Sequence, residues 1–260
     1  RRELHRPAHP QENGVGVSDS PLVLSLFPGI GLLDMAFEQE GFCVVRGPDL
    51  LWGGDIKSFH PPAGRFDGVI GGPPCQAFSS LRFLIRSQGH KIAENLIPEF
   101  SRCVLEASPE WFLMENVRKA PEPVVKGYQL DSFLLNNRWL GEKQSRLRKF
   151  WFGTKITDGK FLARPQLAAL EHIDFATAVL ACELTGGMSK LTHYPRVSAR
   201  VHKGRSFPLM CQLQGLPEGF DLPPFTREGK GKAVGNGVPL PMGRAIANAI
   251  KLTLYNDHDD

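Results

Sequence analysis

The segment PLVLSLFPGIGLLDMAFEQEGF, residues 21–42, constrains the fold more than any other stretch of the chain. An apolar run, Leu22–Phe27, breaks at Pro28-Gly29-Ile30-Gly31, and Leu32, Leu33, Ala36 and Phe37 then recur at helical spacing. Gly41 stands where a helix C-terminus takes a left-handed residue. A second apolar strand, CVVR (43–46), follows at once. Two strands joined through a helix lie parallel, because the helix must carry the chain back along the sheet. RFDGVIGG (65–72) supplies a third strand, and WFLMEN (111–116) is short and apolar until it ends in Glu115-Asn116. Residues 129–135 and 149–153 are further strand candidates. The spacing predicts a helix over 92–107 that Pro98 kinks. The last motif, GNGVPLPMGRAIANAIKLTL (235–254), runs from a loop into an apolar helix. The expected class is α/β, a parallel sheet with crossover helices.

Composition narrows the setting rather than the fold. With 260 residues, 42% hydrophobic and 22% charged, the chain suits one large globular domain or one with a small appendage. No apolar run approaches the roughly 20 residues that cross a bilayer, so no membrane association is expected. Residues 1–21 read as a disordered lead-in without the apolar core of a signal peptide. Cysteines 43, 75, 103, 182 and 211 are odd in number and lack the paired spacing of a metal site or disulfide framework. A reducing, cytoplasmic setting is expected, with Cys75 a free thiol and no metal. The net charge of +4 is weakly compatible with a polyanion, and the basic clusters lie at 144–155 and 196–205.

Several short motifs carry chemistry. GGPPCQAFSSLR (71–82) stiffens the backbone ahead of one thiol at a strand's carboxyl end, either as a plain tight turn or as the seat of a nucleophile. The F-x-G-x-G turn at 27–31 lets a ligand approach the backbone, but lacks the longer G-x-G-x-x-G spacing of a dinucleotide site. Asp49 and Asp55 are strand-end carboxylates that suit either a ribose or adenine contact or simple turn formation. Glu115, after four apolar residues, is expected to be desolvated with a raised pKa, or else paired to a buried arginine. Alternation places the guanidiniums of Arg146 and Arg148 together.

The order of these motifs along one chain resembles the cytosine-5 DNA methyltransferase family. The residues that carry the resemblance are SLFPGIGLLDMAF (25–37), GDI (54–56), GGPPCQAFS (71–79), ENV (115–117), QSRLR (144–148) and GNGV (235–238). The resemblance implies an α/β, doubly wound, mostly parallel Rossmann-like methyltransferase sheet with a small target-recognition domain, S-adenosylmethionine as methyl donor with S-adenosylhomocysteine as product, and double-stranded DNA as partner. It implies that Cys75 attacks carbon 6 of a flipped-out cytosine and that Glu115 holds ring nitrogen 3 and the exocyclic amine. Arg146 and Arg148 would support the carbonyl oxygen and the cysteine-bearing loop. It places Phe27, Gly29, Ile30 and Gly31 at the methionine and adenine, and Asp49 toward the ribose. Asp55 and Ile56 fall at the adenine, Pro74 beside the methyl donor, and Asn236 and Val238 close the site.

Departures from the pattern are Asp49 in place of glutamate within a shortened link, and Lys143 in place of proline. Arg205 takes the first role in the blurred arginine–glutamate pattern before L-Q-G, where Leu209 and Met210 stand instead of an acid. The catalytic part spans 22–153 and resumes over 206–254, leaving a reduced recognition region at 154–205. A region this short implies limited sequence specificity or a partner subunit aiding recognition. A cytoplasmic or nucleoid-associated protein of bacterial or phage type, in a restriction-modification setting, would fit. The alternatives are the same chemistry on a structured RNA such as tRNA, and a catalytically silent regulator that binds cofactor or nucleic acid. A nicotinamide-dependent oxidoreductase would want the longer glycine spacing.

Overall fold

A computed structural model describes residues 20–78, 94–157, 160–167 and 206–255. Strand β1 (Leu22–Leu26) leads through the glycine turn to helix α1 (Leu32–Gln39) and strand β2 (Cys43–Arg46). Strand β3 (Gly68–Gly71), helix α2 (Ile97–Ala107) and strand β4 (Trp111–Asn116) follow, then the hairpin of β5 (Tyr128–Asn136) and β6 (Leu147–Lys155). Helices α3 (Phe207–Leu213), α4 (Arg227–Asn236) and α5 (Leu240–Leu254) complete the described chain. The sheet order is β2-β1-β3-β4-β6-β5. Strands β2, β1, β3 and β4 are parallel, and β6 runs antiparallel to both its neighbours.

This order fixes where a ligand can sit. The chain leaves β1 to one side for β2 and returns on the other side for β3, so the carboxyl ends of β1 and β3 flank a topological switch point. Because β6 is antiparallel, its first residues and the carboxyl end of β4 share that edge, with Asn116 opposite Lys149.

Alternation sorts the strand residues into two cores. Val23, Ile70, Trp111, Leu113, Phe150 and Phe152 face α1 and α5. Leu24, Leu26, Val69, Phe112, Met114 and Trp151 face α2. Helix α5 returns beside α1 so closely that a Cβ on Gly243 would lie 2.6 Å from the Ala36 Cβ. A third cluster, from Leu32 and Ala36 to Met210, Cys211, Val234 and Leu240, ties α3 and α4 to the same layer.

The expected kink at Pro98 is not observed. Helix α2 begins at Ile97, and Pro98 lies in its first turn, where a missing N–H leaves no helical bond unmade. The hairpin strands are longer than expected, so Arg148 lies on β6 and Arg146 just ahead of it. Of the expected lead-in and recognition region, all but residues 20–21, 154–157 and 160–167 lie outside the described residues, as does Arg205. Among the described residues no helix is long and apolar enough to cross a membrane, and no cluster of metal-ligating side chains occurs.

Two glycines make the aromatic core possible. A Cβ on Gly68 would collide with the Trp111 ring, and one on Gly153 with the Phe112 ring. Phe112 is fully buried and has no room to give. Gly153→Ala is therefore expected to destabilise the fold by about 1–3 kcal/mol, seen as a lower urea midpoint at unchanged m-value.

Candidate active site

Glu115 follows Trp111 and Leu113 on one face of β4, but stands at the sheet edge. Gly72 leaves room beside it, since a Cβ there would approach Glu115 Oε2 to 3.1 Å. Arg148 Nε meets Glu115 Oε1 at 2.8 Å, and both side chains are largely buried. Burial pushes the Glu115 carboxyl up, and the charges of Arg148 and Arg146 pull against it. Both sequence expectations for this residue hold together: it is desolvated, and it is paired.

The turn carrying the thiol is anchored to the same strand. Asn116 Nδ2 donates to the Pro73 carbonyl oxygen at 2.9 Å, and Asn116 Oδ1 accepts from Val117 N at 2.8 Å. Pro74 then leads into a single 3-10 turn, Cys75–Ala77. Asn116 was not among the expected site residues, although it is the middle letter of the E-N-V motif. Its amide gives the strand end a second grip on the proline turn. Cys75 is half-buried and within electrostatic reach of Glu115, Arg148 and Arg146. Burial raises its pKa most and the negative charge of Glu115 adds to that, while Arg148 and Arg146 lower it. Cys103 and Cys211 are pushed up by burial to about 11. Neither has a pair of arginines opposing the rise.

The two arginines both act on Glu115 and Cys75 but take different partners. Arg148 holds Glu115, whereas Arg146 Nη2 donates to the Gly237 carbonyl at 2.9 Å. Burial, with the nearby Arg148 charge, holds the Arg146 guanidinium below its usual value. Gln214 Nε2 donates to the same Gly237 carbonyl at 3.1 Å and to that of Val234 at 2.5 Å. Gln214 is fully buried and was missed in the sequence, where only L-Q-G as a string marked it. Through this shared carbonyl, the final motif is fastened to the arginine motif some ninety residues earlier.

The cofactor-side residues gather at the other half of the edge. Gly29 and Gly31 adopt φ of 57° and 81°, and Phe27, with a side chain, adopts 56°. Backbone strain at a non-glycine residue marks a turn that its surroundings over-determine. Asp49 Oδ2 accepts from Gly29 N and Oδ1 from Leu51 N, both at 2.8 Å, and Trp52 Nε1 donates to the Gly29 carbonyl at 2.6 Å. The shortened link thus clamps the glycine turn, a role for Trp52 that sequence spacing did not suggest. Beneath the turn, Ser25 Oγ and Arg46 Nε both donate to the fully buried Asp34 carboxylate. Asp55 Oδ1 accepts from Lys57 N at 3.0 Å, so this aspartate too forms a turn. Ile56 and Val238 are buried, and Asn236 closes α4.

These residues fit an adenosyl cofactor. A Cβ on Gly29 would meet nothing within 4 Å, so the glycine turn opens onto free space at the switch point. Asp49 and Asp55 already accept backbone bonds, but each carboxylate oxygen keeps a further lone pair for a hydroxyl or amine. Ile30 and Pro74, on the two turns that flank the crevice, are only partly buried.

A family model for the C-5 cytosine-specific DNA methylases matches residues 53–177. The type II methyltransferase M.FnuDI of Fusobacterium nucleatum is 32% identical over 165 residues, covering 50% of this chain and 46% of that protein. M.HgiDI of Herpetosiphon aurantiacus is 31% identical over 161 residues, covering 50% of this chain and 51% of that protein. The chain spans about half the length of the curated relatives it matches. Among solved structures, a prophage-encoded E. coli protein assigned to the DNA modification methyltransferases is similar with a TM-score of 0.62 at 17% identity, over 90% of this chain and 99% of the other. A DNMT2 variant of Spodoptera frugiperda is similar with a TM-score of 0.55 at 16% identity, also over 90% and 99%. At these identities the structural likeness shows the fold alone.

Proposed function

We propose that this chain, whose residues 53–177 match the model of the C-5 cytosine-specific DNA methylases and which is about 30% identical to type II methyltransferases over half its length, transfers a methyl group to carbon 5 of a flipped-out cytosine in double-stranded DNA. The convergence of Cys75, Glu115, Arg146 and Arg148 on one partly desolvated pocket carries this reading. A binding module has no use for a thiol held between a carboxylate and two guanidiniums.

Bound S-adenosylmethionine supplies a methyl group made electrophilic by its sulfonium. The pocket residues do the rest. Cys75 loses its proton and its sulfur bonds to carbon 6, which turns the ring into an enamine with electron density at carbon 5. Glu115, with its raised pKa, donates a hydrogen bond or its proton to ring nitrogen 3 as that density develops. While Glu115 still holds its proton it lacks the negative charge that, after burial, most raises the thiol, so the thiolate forms before that proton is passed on. Arg148 orients the carboxyl from the opposite side. Arg146 holds the Gly237 carbonyl, and with it the turn that closes the cofactor crevice. Once carbon 5 carries the methyl group, its proton passes to water, the carbon–sulfur bond breaks to return the thiolate, and ring nitrogen 3 gives its proton back to Glu115, restoring the aromatic ring.

Exposed cations at the same edge suit a phosphodiester backbone. Arg118 and Lys119 leave the end of β4, and Lys143 lies in the turn before β6. The sequence cluster at 144–155 does not act as one basic face, since Arg146 and Arg148 turn inward and Lys155 pairs with Glu110 at the opposite edge. The match to the C-5 cytosine-specific DNA methylase model favours DNA over RNA.

Base-resolution mapping of 5-methylcytosine, on duplex DNA and on tRNA exposed to the protein and methyl donor, tests the proposal. Methylated cytosines in DNA are expected. Product in tRNA alone would move the same chemistry to RNA, and product in neither would overturn the reading.

A further inference from the structure

We propose that Arg102 is a positioning residue for the adenine side of the cofactor crevice, acting through the Ile56 carbonyl. The inference rests on reading Asp55 and Ile56 as the adenine-contacting pair. Helix α2 presents Glu99, Arg102 and Glu106 on one face, at spacings of three and four. Glu99 Oε2 takes the Arg102 Nε at 2.8 Å, and Glu106 Oε1 takes Nη1 at 2.8 Å. Nη2 remains, and it donates to the Ile56 carbonyl oxygen at 2.7 Å, forty-six residues earlier in the chain. A planar guanidinium is suited to this, because two fork positions can be fixed by carboxylates while a third reaches a carbonyl. The side chain is 27% exposed, so its bonds are only partly screened by solvent.

The consequence lies in what Ile56 carries. Its carbonyl also accepts from Phe59 N at 3.2 Å, closing the 3-10 turn Ile56–Ser58. Asp55 is fixed to the same turn through Lys57 N. Arg102 therefore joins this turn to a helix whose Phe100 and Val104 are fully buried against the sheet. A further polar tie of the turn to a later segment, Lys57 Nζ to Glu94 Oε2, is exposed at both ends and correspondingly weak. Releasing Arg102 lets the Asp55–Ile56 turn drift from the crevice while leaving the Cys75 pocket in place.

The test compares Arg102→Gln, Arg102→Lys and Glu99→Gln with the unaltered protein. Calorimetric binding of S-adenosylhomocysteine is measured alongside steady-state methylation of duplex DNA with the methyl donor varied. Arg102→Gln is expected to raise the Kd for S-adenosylhomocysteine and the KM for the methyl donor roughly 5- to 30-fold, with kcat at saturation within about two-fold. Arg102→Lys keeps a cation for the glutamates but cannot span all three partners, so it folds and recovers only part of the affinity. Glu99→Gln leaves Kd within about two-fold, because Glu106 still holds the guanidinium. Unchanged Kd in both Arg102 variants would overturn the proposal, as would a fall in kcat at unchanged KM. If the unaltered protein bound no S-adenosylhomocysteine, the cofactor reading itself would fall, and this inference with it.

Discussion

Cys75→Ala is expected to abolish methyl transfer, a loss of at least about 10⁴-fold, while S-adenosylhomocysteine still binds within about two-fold of the unaltered protein. The expectation follows from the separation of the two half-sites. The thiol is carried by the Pro73-Pro74-Cys75 turn, which Asn116 anchors to β4. The glycine turn is clamped from the other side by Asp49 and Trp52. Removing one sulfur leaves the second clamp untouched. A duplex with 5-fluorocytosine at the target position should trap the sulfur–carbon bond, because fluorine cannot leave as a proton does. Mass spectrometry is then expected to find the adduct on Cys75 and nowhere else. Residual turnover in Cys75→Ala would assign the nucleophile to another group.

Glu115→Gln should move two measurements in opposite directions. Methyl transfer is expected to fall by about 10²- to 10³-fold, because the amide cannot give ring nitrogen 3 a proton. Alkylation of Cys75 by iodoacetamide should become faster at a fixed pH near neutrality. The sign follows from the charges around the thiol: a negative neighbour disfavours the thiolate, so removing Glu115's charge lowers the Cys75 pKa. Release of Arg148 from its carboxylate partner works in the same direction. In the unaltered protein the alkylation rate should climb with pH toward a midpoint above the ordinary thiol value. In Glu115→Gln that midpoint moves down. Peptide-level mass spectrometry separates Cys75 from the exposed Cys43. A midpoint that rose or stayed fixed would mean that Glu115 does not bear on the nucleophile.

Much of this site was legible because its chemistry is local in the chain. A proline-stiffened turn before Cys75, a carboxylate closing an apolar strand and glycines after the first strand all declare themselves within a few residues. The aspartates were legible only as alternatives, and the structure gives the bland reading a definite form. Asp49 and Asp55 each accept a backbone amide within a turn, and Asp49 also reaches Gly29, twenty residues away. Pro98 misled because its effect depends on where the helix begins. In mid-helix it would break a bond, but in the first turn it breaks none. Arg146 and Arg148 illustrate the limit of alternation. Spacing places two cations side by side, but cannot say that one turns to Glu115 and the other to a carbonyl in the final motif.

By itself the sequence determined the order of the strands, helices α1, α2 and α5, a candidate nucleophile and the two turns that flank the crevice, because apolar periodicity and backbone-restricting residues act over a few positions. The tertiary structure alone decided which groups share an electrostatic environment: the coupling of Cys75 to Glu115, the Gly237 carbonyl held jointly by Arg146 and Gln214, and the reach of Arg102 to Ile56. Those relations join residues from 23 to 91 positions apart, and only packing the helices onto a twisted sheet brings them within reach of one another.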